Sequence, residues 1–288
     1  MKPSSFGYAA PASTDEALDV LGQVGHDAKV LAGGQSLLPI LNMRLAAPGY
    51  LVDINRITEL SYVRVEDGGV RVGALARHAD VERSAAAFDA LPLLRQALEL
   101  VAHPVIRNRG TTVGSLAHAD PSGEMTAVLA LTGGSVVVAR QGSSRTVPAA
   151  DFFLGPLESA CTGGELAISA FFPALPAGTG STFIEVARRH GDYAVCGLAA
   201  AVTLDGAGAV VSARAAYISV APTPLVLDLT PAVAGEAAAG ADWFAAGELA
   251  RSQTEPEADI HATADYRSHL VGVLTARALA QAAGRAAA

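Results

Sequence analysis

The stretch at residues 29–57 reads KVLAGGQSLLPILNMRLAAPGYLVDINRI and sets two short apolar runs on either side of a glycine turn and a helical segment. It predicts a buried strand entering the turn, a helix that Ser36 could cap, and a second apolar strand. The amphipathic pattern before it predicts a helix capped by Thr14 and ended by Gly25. The order helix, strand, glycine turn, helix, strand indicates a small α/β unit.

The pattern then changes to short strands. YVRVEDGGVRVGAL predicts a hairpin with EDGG as its turn, followed by a helix that begins near His78. A second glycine-punctuated loop, in VIRNRGTTVGSLAHADP, precedes a predicted helix at about residues 122–131 and a predicted strand at 135–140. Two glycine loops, each followed by a helix, therefore belong to the same half of the chain.

Proline and glycine concentrate at residues 171–183, in FFPALPAGTGSTF, which predicts a domain boundary. Beyond it, the pattern predicts an antiparallel sheet and then two helices, the last rich in alanine and leucine. The sequence thus predicts an α+β protein with a first domain at residues 1–175, subdivided at about 1–57 and 58–175, and a second domain at 176–288.

Composition excludes several classes of protein. Hydrophobic residues make up 51% of the chain, yet no run approaches the roughly 18 apolar residues of a membrane span. The N-terminal residues lack the basic region and apolar run of a secretory signal, and only Cys161 and Cys196 could form a disulfide. We therefore expect a cytoplasmic protein without a membrane span, with both thiols reduced.

Charge and cysteine count narrow the choice of cofactors and partners. Two cysteines cannot supply the thiolates of a [2Fe–2S] cluster, and they do not form the paired ligand spacing of structural zinc. A net charge of −8 without a Lys/Arg stripe is unlike a nucleic-acid binder. The expected partners are proteins or small molecules.

The two glycine loops are chemically suited to phosphate. Glycine lets a ligand approach the main chain, and a turn between a strand and a helix directs free N–H groups outward. An isolated Gly-Gly is more often an ordinary tight turn, and neither a Rossmann fingerprint nor a P-loop is present. Two such loops, AGGQS and GTTVGS, could however flank one pyrophosphate. The loops alone therefore indicate a dinucleotide ligand but do not identify it.

Four segments carry a resemblance that spans essentially the whole chain. LAGGQSLLPILNMRLAAPGYLVDINRI, VIRNRGTTVGSLAHADP, ARRHGDYAVCGLAAAV and ATADYRSHLVGVLTARAL together resemble the FAD-binding medium subunit of the xanthine oxidase and carbon monoxide dehydrogenase family of molybdenum hydroxylases. The resemblance implies a two-part FAD-binding domain of the PCMH type, followed by a smaller flavoprotein domain with an antiparallel sheet and C-terminal helices.

It also implies a set of FAD-binding residues. They comprise the first loop, the second loop, an acidic residue near the ribose, a residue beside the flavin ring and a tyrosine of the second domain lying against the isoalloxazine. In that order they are Ala32, Gly33, Gly34, Gln35, Ser36 and Leu37; Thr111, Thr112, Val113, Gly114 and Ser115; Glu124; Leu166; and Tyr193.

Two positions depart from the family pattern. Val113 stands where the family commonly has glycine, which would cost about 1 to 2 kcal/mol at positive φ and nothing at negative φ. Ile184 and Glu185 stand close to where relatives often carry a lysine before the paired arginines, so a cationic contact to the cofactor is not expected there.

Other tempting residues have structural interpretations. His26 and His78 are expected at the surface, and the pairs His118–Asp120 and His190–Asp192 are expected to make structural hydrogen bonds. Arg107 and Arg109 could support an anionic cofactor or solvate a helix end, and the two cysteines are expected to be buried and inert. No catalytic or metal-binding residue is expected in this chain.

The resemblance implies an electron-transfer subunit. A small partner would carry [2Fe–2S] clusters, a large partner would carry a molybdenum-pterin cofactor, and this chain would pass electrons through FAD to an external acceptor, with the three chains assembled as a dimer of trimers. The alternatives are a self-sufficient FAD oxidoreductase and a scaffold subunit that has lost FAD. Val113 is the feature that favours the scaffold.

Overall fold

The computed structural model describes residues 2–66 and 68–287. Its N-terminal part is a sheet of three parallel strands in the order β1, β3, β2, as the predicted α/β unit requires. The elements are β1 (Gly7–Ala9), α1 (Thr14–Val24), β2 (Ala28–Leu31), α2 (Leu37–Asn42) and β3 (Tyr50–Asp53). The sequence did not predict β1, because three residues are too few for a periodic signal.

The helix ends differ from the prediction in detail. Ser13, not Thr14, caps α1, since its hydroxyl accepts a hydrogen bond from the N–H of Glu16 at 3.2 Å. Gly25 ends that helix at φ +67°, as predicted. Ser36 makes no capping hydrogen bond, because its backbone is already helical (φ −94°, ψ −44°) instead of extended.

The second part of the first domain is an antiparallel sheet in the order β4, β5, β10, β6, β7, beside a small hairpin of β8 and β9. The strands are β4 (Val63–Glu66), β5 (Gly69–Gly73), β6 (Ser135–Arg140), β7 (Ser143–Pro148), β8 (Phe153–Gly155), β9 (Glu158–Ser159) and β10 (Leu166–Pro173). The predicted hairpin of β4 and β5 and the predicted strand at 135–140 are confirmed. Asp67, in the predicted EDGG turn, lies outside the described residues.

Among the described residues, seven short helices belong to this part of the first domain. They are α3 (His78–Arg83), α4 (Ala85–Ala90), α5 (Pro92–Leu98), α6 (Pro104–Arg107), α7 (Thr112–His118), α8 (Glu124–Thr132) and α9 (Ala149–Phe152). α3 begins at the predicted residue, and α8 confirms the predicted helix with a start two residues later. The GTTVGS segment was predicted as a loop, but from Thr112 onward it is the first turn of α7.

The second domain is an antiparallel meander covered by two helices. Its elements are β11 (Thr179–Ala187), β12 (Ala194–Leu204), β13 (Val210–Ile218), β14 (Leu225–Asp228), α10 (Trp243–Ser252) and α11 (Ala264–Ala286). Gly180 of β11 lies directly against the backbone of α11 at Ala282, so the helix packs on the sheet at a distance that only small residues permit. The hydroxyls of Tyr217 and Thr275 meet at 2.6 Å inside this core.

Between the last strand of the first sheet region and the first strand of the next sheet, the chain runs through the segment rich in proline and glycine. β10 ends at Pro173 and β11 begins at Thr179, within the predicted segment 171–183. The exact division after residue 175 stays a prediction. Within the described parts of the chain, no helix has both the length and the apolar character that crossing a membrane requires.

Candidate functional site

The first glycine loop, residues 32–36, connects the end of β2 to the start of α2. Gly34 has φ +74°, which L side chains rarely adopt, and its neighbours are the side chains of Leu31 and Leu38. The main-chain N–H groups of Gly34, Gln35 and Ser36 donate to no acceptor among the described residues. These open donors could bind an anionic oxygen.

The second loop leads into α7. Thr111 caps this helix, since its hydroxyl accepts a hydrogen bond from the N–H of Gly114 at 3.2 Å, and Gly114 leaves room for that hydroxyl. Val113 is 1% exposed and lies within α7, with a negative φ. The strain that a valine would suffer at positive φ is therefore absent, and the side chain instead fills the core.

The two loops touch through their main chains. A Cβ added at Gly33 would lie 2.5 Å from the carbonyl oxygen of Arg109, 2.7 Å from the Cα of Gly110 and 3.0 Å from the nitrogen of Thr111. No side chain larger than hydrogen fits between them. The turn after β2 and the start of α7 therefore form one continuous main-chain surface.

Two polar side chains, those of Asn55 and Arg77, hold the two loops together through hydrogen bonds to their main chains. The amide of Asn55 donates to the carbonyl oxygen of Ala32 at 2.8 Å, and Arg77 donates to the carbonyl oxygen of Arg109 at 2.6 Å. Arg77 also donates to Oδ1 of Asn55 at 2.7 Å. Neither residue was among the predicted site residues. Asn55 lay within a segment that carried the family resemblance, whereas no local signal marked Arg77.

The prediction that His78 lies at the surface is wrong. His78 is 4% exposed, packs under Gly110, and places Nδ1 3.2 Å from the hydroxyl of Thr112. Burial, followed by the positive charge of Arg107, lowers its pKa to about 4. The imidazole is therefore neutral and supports the second loop from inside.

Acidic residues and Tyr193 meet where the two domains face each other. Burial, then the charge of Glu185, raises the pKa of Glu124 to about 8, and burial raises the pKa of Glu185 to about 7. Oε2 of Glu185 is buried and lacks a hydrogen-bond partner in the described chain. Partial desolvation, then the charges of Asp120 and Glu124, raise the pKa of the Tyr193 hydroxyl although the side chain is 68% exposed. The charge of Glu124, in the first domain, therefore acts on the hydroxyl of Tyr193 in the second.

The remaining candidates have structural surroundings. Leu166 is 3% exposed and belongs to the core of the first domain, so its place beside a flavin ring stays a prediction. Arg107 makes a two-pronged ion pair with Glu82, whereas Arg109 is exposed. Nε2 of His118 lies 4.0 Å from Oδ2 of Asp120, beyond hydrogen-bond distance, so the expected hydrogen bond within this pair is not formed.

Both cysteines are free thiols. Cys196 is buried as predicted, and burial raises its pKa to about 12, but Cys161 is only half-buried because it lies in a loop between β9 and β10. Burial also raises the pKa of Cys161, so neither thiol is activated. Among the described residues, no group of three or more His, Cys, Asp or Glu side chains could hold a metal ion.

Both domains match known protein families. The family model described as the FAD binding domain in molybdopterin dehydrogenase matches residues 4–175, and the CO dehydrogenase flavoprotein C-terminal domain matches residues 181–282. The 6-hydroxypseudooxynicotine dehydrogenase complex subunit alpha of Paenarthrobacter nicotinovorans is 38% identical over 99% of this chain and 97% of its own. The carbon monoxide dehydrogenase medium chain of Hydrogenophaga pseudoflava is 38% identical over the full length of both chains.

A solved structure agrees with this assignment. A chain of the carbon monoxide dehydrogenase from Hydrogenophaga pseudoflava superposes with a TM-score of 0.92 at 38% identity, covering 99% of each chain. The agreement extends over both domains, because the superposition covers nearly the whole chain. This chain belongs to the family of FAD-binding subunits of molybdenum hydroxylases, a family of oxidoreductase components that includes the medium chains of carbon monoxide dehydrogenases.

Proposed function

We propose that this chain carries FAD and transfers electrons within a three-chain molybdenum hydroxylase. A small partner chain supplies electrons from [2Fe–2S] clusters, and a large partner chain carries the molybdenum-pterin centre at which the substrate is hydroxylated. This chain passes the electrons to an external acceptor. The main-chain contact between Gly33 and the Arg109–Gly110 backbone carries the proposal, because it gathers open N–H donors in one place.

The residues of the chain bind and orient the cofactor. Main-chain donors of the first and second loops hold the pyrophosphate, Glu124 accepts hydrogen bonds from ribose hydroxyls, and Leu166 borders the flavin ring. Tyr193 lies against the isoalloxazine from the second domain. Bound FAD supplies the redox chemistry, since a flavin accepts electrons and passes them on, so no side chain of this subunit need act as an acid or a base.

The substrate is selected elsewhere in the complex. Relatives of the same length and fold are named for complexes that act on carbon monoxide and on 6-hydroxypseudooxynicotine. Such different substrates are compatible with one medium-chain architecture if the large partner binds them. We place the complex in the cytoplasm as a dimer of three-chain units.

The visible absorption spectrum of the purified chain tests the proposal. We expect a flavin spectrum, and acid release should yield FAD at about one molecule per chain, as one site per chain requires. A folded chain that stays colourless after incubation with FAD would contradict the proposal and favour the scaffold alternative. The position of Val113 in a helix removes the feature that had favoured that alternative.

A second measurement distinguishes the proposed function from the other alternative, a self-sufficient FAD oxidoreductase. The flavin of a self-sufficient oxidoreductase is bleached when the isolated chain meets its substrate. We expect instead that carbon monoxide, an aldehyde or an N-heterocycle leaves the flavin of the isolated chain oxidised, whereas dithionite reduces it. Bleaching by any of these substrates would refute the division of labour among the three chains.

A further inference from the structure

The segment between β11 and β12 carries Tyr193 and crosses from one domain toward the other. The ring of Tyr193 is 68% exposed, and its hydroxyl makes no hydrogen bond to a residue that the structure describes. Its orientation therefore depends on what holds the backbone before and after it.

On the N-terminal side, the segment rests on a histidine of the first domain. Gly191 has φ +81°, and a Cβ there would lie 2.6 Å from Cε1 and 2.9 Å from Nδ1 of His103. The ring of His190 lies 5.8 Å from the same imidazole. The turn is closed by Asp192, which accepts a hydrogen bond from Nε of Arg189 at 2.9 Å. The turn therefore packs directly on the His103 ring, which sets its distance from the first domain.

On the C-terminal side, the segment is held by Ser219. Its Oγ lies 2.7 Å from the carbonyl oxygen of Ala194 and 2.8 Å from Oγ of Ser122 in the first domain. A hydroxyl has one hydrogen and a carbonyl can only accept, so Ser219 donates to Ala194 and accepts from Ser122. The residue that follows Tyr193 is thereby tied to the segment that leads to Glu124.

The conformation of Ser219 is costly and strongly constrained. Its φ is +64°, a region that costs a residue with a Cβ about 1 kcal/mol or more, and it is 9% exposed. Its N–H donates to the carbonyl oxygen of Pro121 at 2.8 Å, and its own carbonyl oxygen accepts from the buried Arg267. Such strain persists only where surrounding contacts determine the backbone.

From these contacts, and resting on the proposed function, we propose that His103 and Ser219 are positioning residues for Tyr193. They hold the backbone on either side of it against the first domain, so that the phenol ring packs on the flavin in one orientation. An ordinary domain contact would stabilise the fold without acting through Tyr193.

A mutant cycle read by flavin fluorescence separates these roles, with FAD as the added probe. A stacked phenol quenches flavin emission, so Tyr193→Leu should raise the emission of bound FAD several-fold. H103A and S219A should each raise it part of the way, and neither should raise it further in the Y193L background, because residues that act through one another are not additive. FAD affinity should fall by less than about tenfold, or about 1.4 kcal/mol.

Further variants keep the test decisive if S219A folds poorly. S219G relieves the positive-φ strain while removing the same hydroxyl, and it should match S219A in emission. Ser212→Ala on β13, the strand that ends just before Ser219, and His261→Ala at the surface serve as controls and should change nothing. Unchanged emission in H103A and S219A, or equal increases with and without Tyr193, would overturn the inference. Absence of FAD binding by the unaltered chain, or unchanged emission in Y193L, would overturn both the inference and the assigned place of Tyr193.

Discussion

Gly33 faces Gly110 so closely that a Cβ at position 33 would lie 2.7 Å from the Gly110 Cα. Real Cβ atoms essentially never approach another heavy atom under 3.0 Å without displacing it. Both partners in this contact are main chain, which cannot move aside as the end of a flexible side chain can. The spacing of the two loops is therefore set by the absence of a side chain at residue 33.

Gly33→Ala should separate the two loops and weaken FAD binding. We expect the dissociation constant for FAD to rise at least about tenfold, equal to about 1.4 kcal/mol, while the far-UV spectrum stays unchanged. Titration of the apoprotein with FAD measures it. Gly284→Ala in α11, where nothing lies within 4 Å, is the matched control and should bind normally. Normal FAD affinity in G33A would show that the loops do not hold the pyrophosphate together.

Arg77→Lys should weaken FAD binding although the charge is kept. The guanidinium donates to Asn55 and to the Arg109 carbonyl at once, and a lysine ammonium cannot reproduce that planar fork. Loss of one such hydrogen bond costs about 1 kcal/mol, so a rise of about fivefold in the dissociation constant is expected. Arg277→Lys, at an exposed position of α11 in the second domain, makes the same change of side chain far from both loops and should leave affinity unchanged. Equal affinities of R77K and R277K would contradict the role of Arg77.

Local patterns predicted most of the fold because its elements are short and sharply bounded. Gly25, the hairpin of β4 and β5, and the proline-rich linker each act through their own neighbours in sequence. The two glycine loops could also be paired from sequence, since each has the same turn chemistry before a helix. The capping of α7 by Thr111 was not foreseen, because valine in GTTVGS obscured the helix start.

Tertiary contacts account for what the sequence did not predict. Arg77 contacts the Arg109 carbonyl and Asn55, which come close to it only in the folded chain. In the sequence, nothing distinguishes it from any other arginine. His78 begins a helix and looked like a surface residue, yet Gly110 and Thr112 close over it. Neither relationship has a periodicity or a motif, because each depends on segments about thirty residues apart meeting in space.

His78 should make the apoprotein lose stability in mild acid. Its folded pKa of about 4 lies below the ordinary 6.5, so at this site the unfolded state binds more protons, and the contribution of His78 to stability falls as the pH drops from about 6.5 to about 4. The loss should be of the order of 3 kcal/mol, at about 1.4 kcal/mol per pKa unit. Urea unfolding at a series of pH values measures it. The free energy of unfolding of His78→Gln, minus that of the unaltered apoprotein, should rise by about this amount from pH 6.5 to pH 4, whereas the same difference for His261→Gln, at an exposed position, should stay constant. A difference for H78Q that does not change with pH would show that His78 makes no such contribution.

Glu185 should limit stability on the alkaline side. Burial raises its pKa to about 7 and that of Glu124 to about 8, against an ordinary 4.5, so the folded state holds more protons than the unfolded chain between these values. The contribution of these two carboxyls to the free energy of unfolding should therefore fall as the pH rises from about 4.5 to about 8 and then level off, opposite in sign to the contribution of His78 below pH 6.5. Glu185→Gln removes one carboxyl and relieves Glu124 of a neighbouring charge, so it should make this fall shallower. Exposed Glu257→Gln should leave it unchanged. Urea unfolding from pH 5 to 9 decides the matter, since equal slopes for E185Q and the unaltered apoprotein would mean that Glu185 is hydrated and already ionised at pH 5.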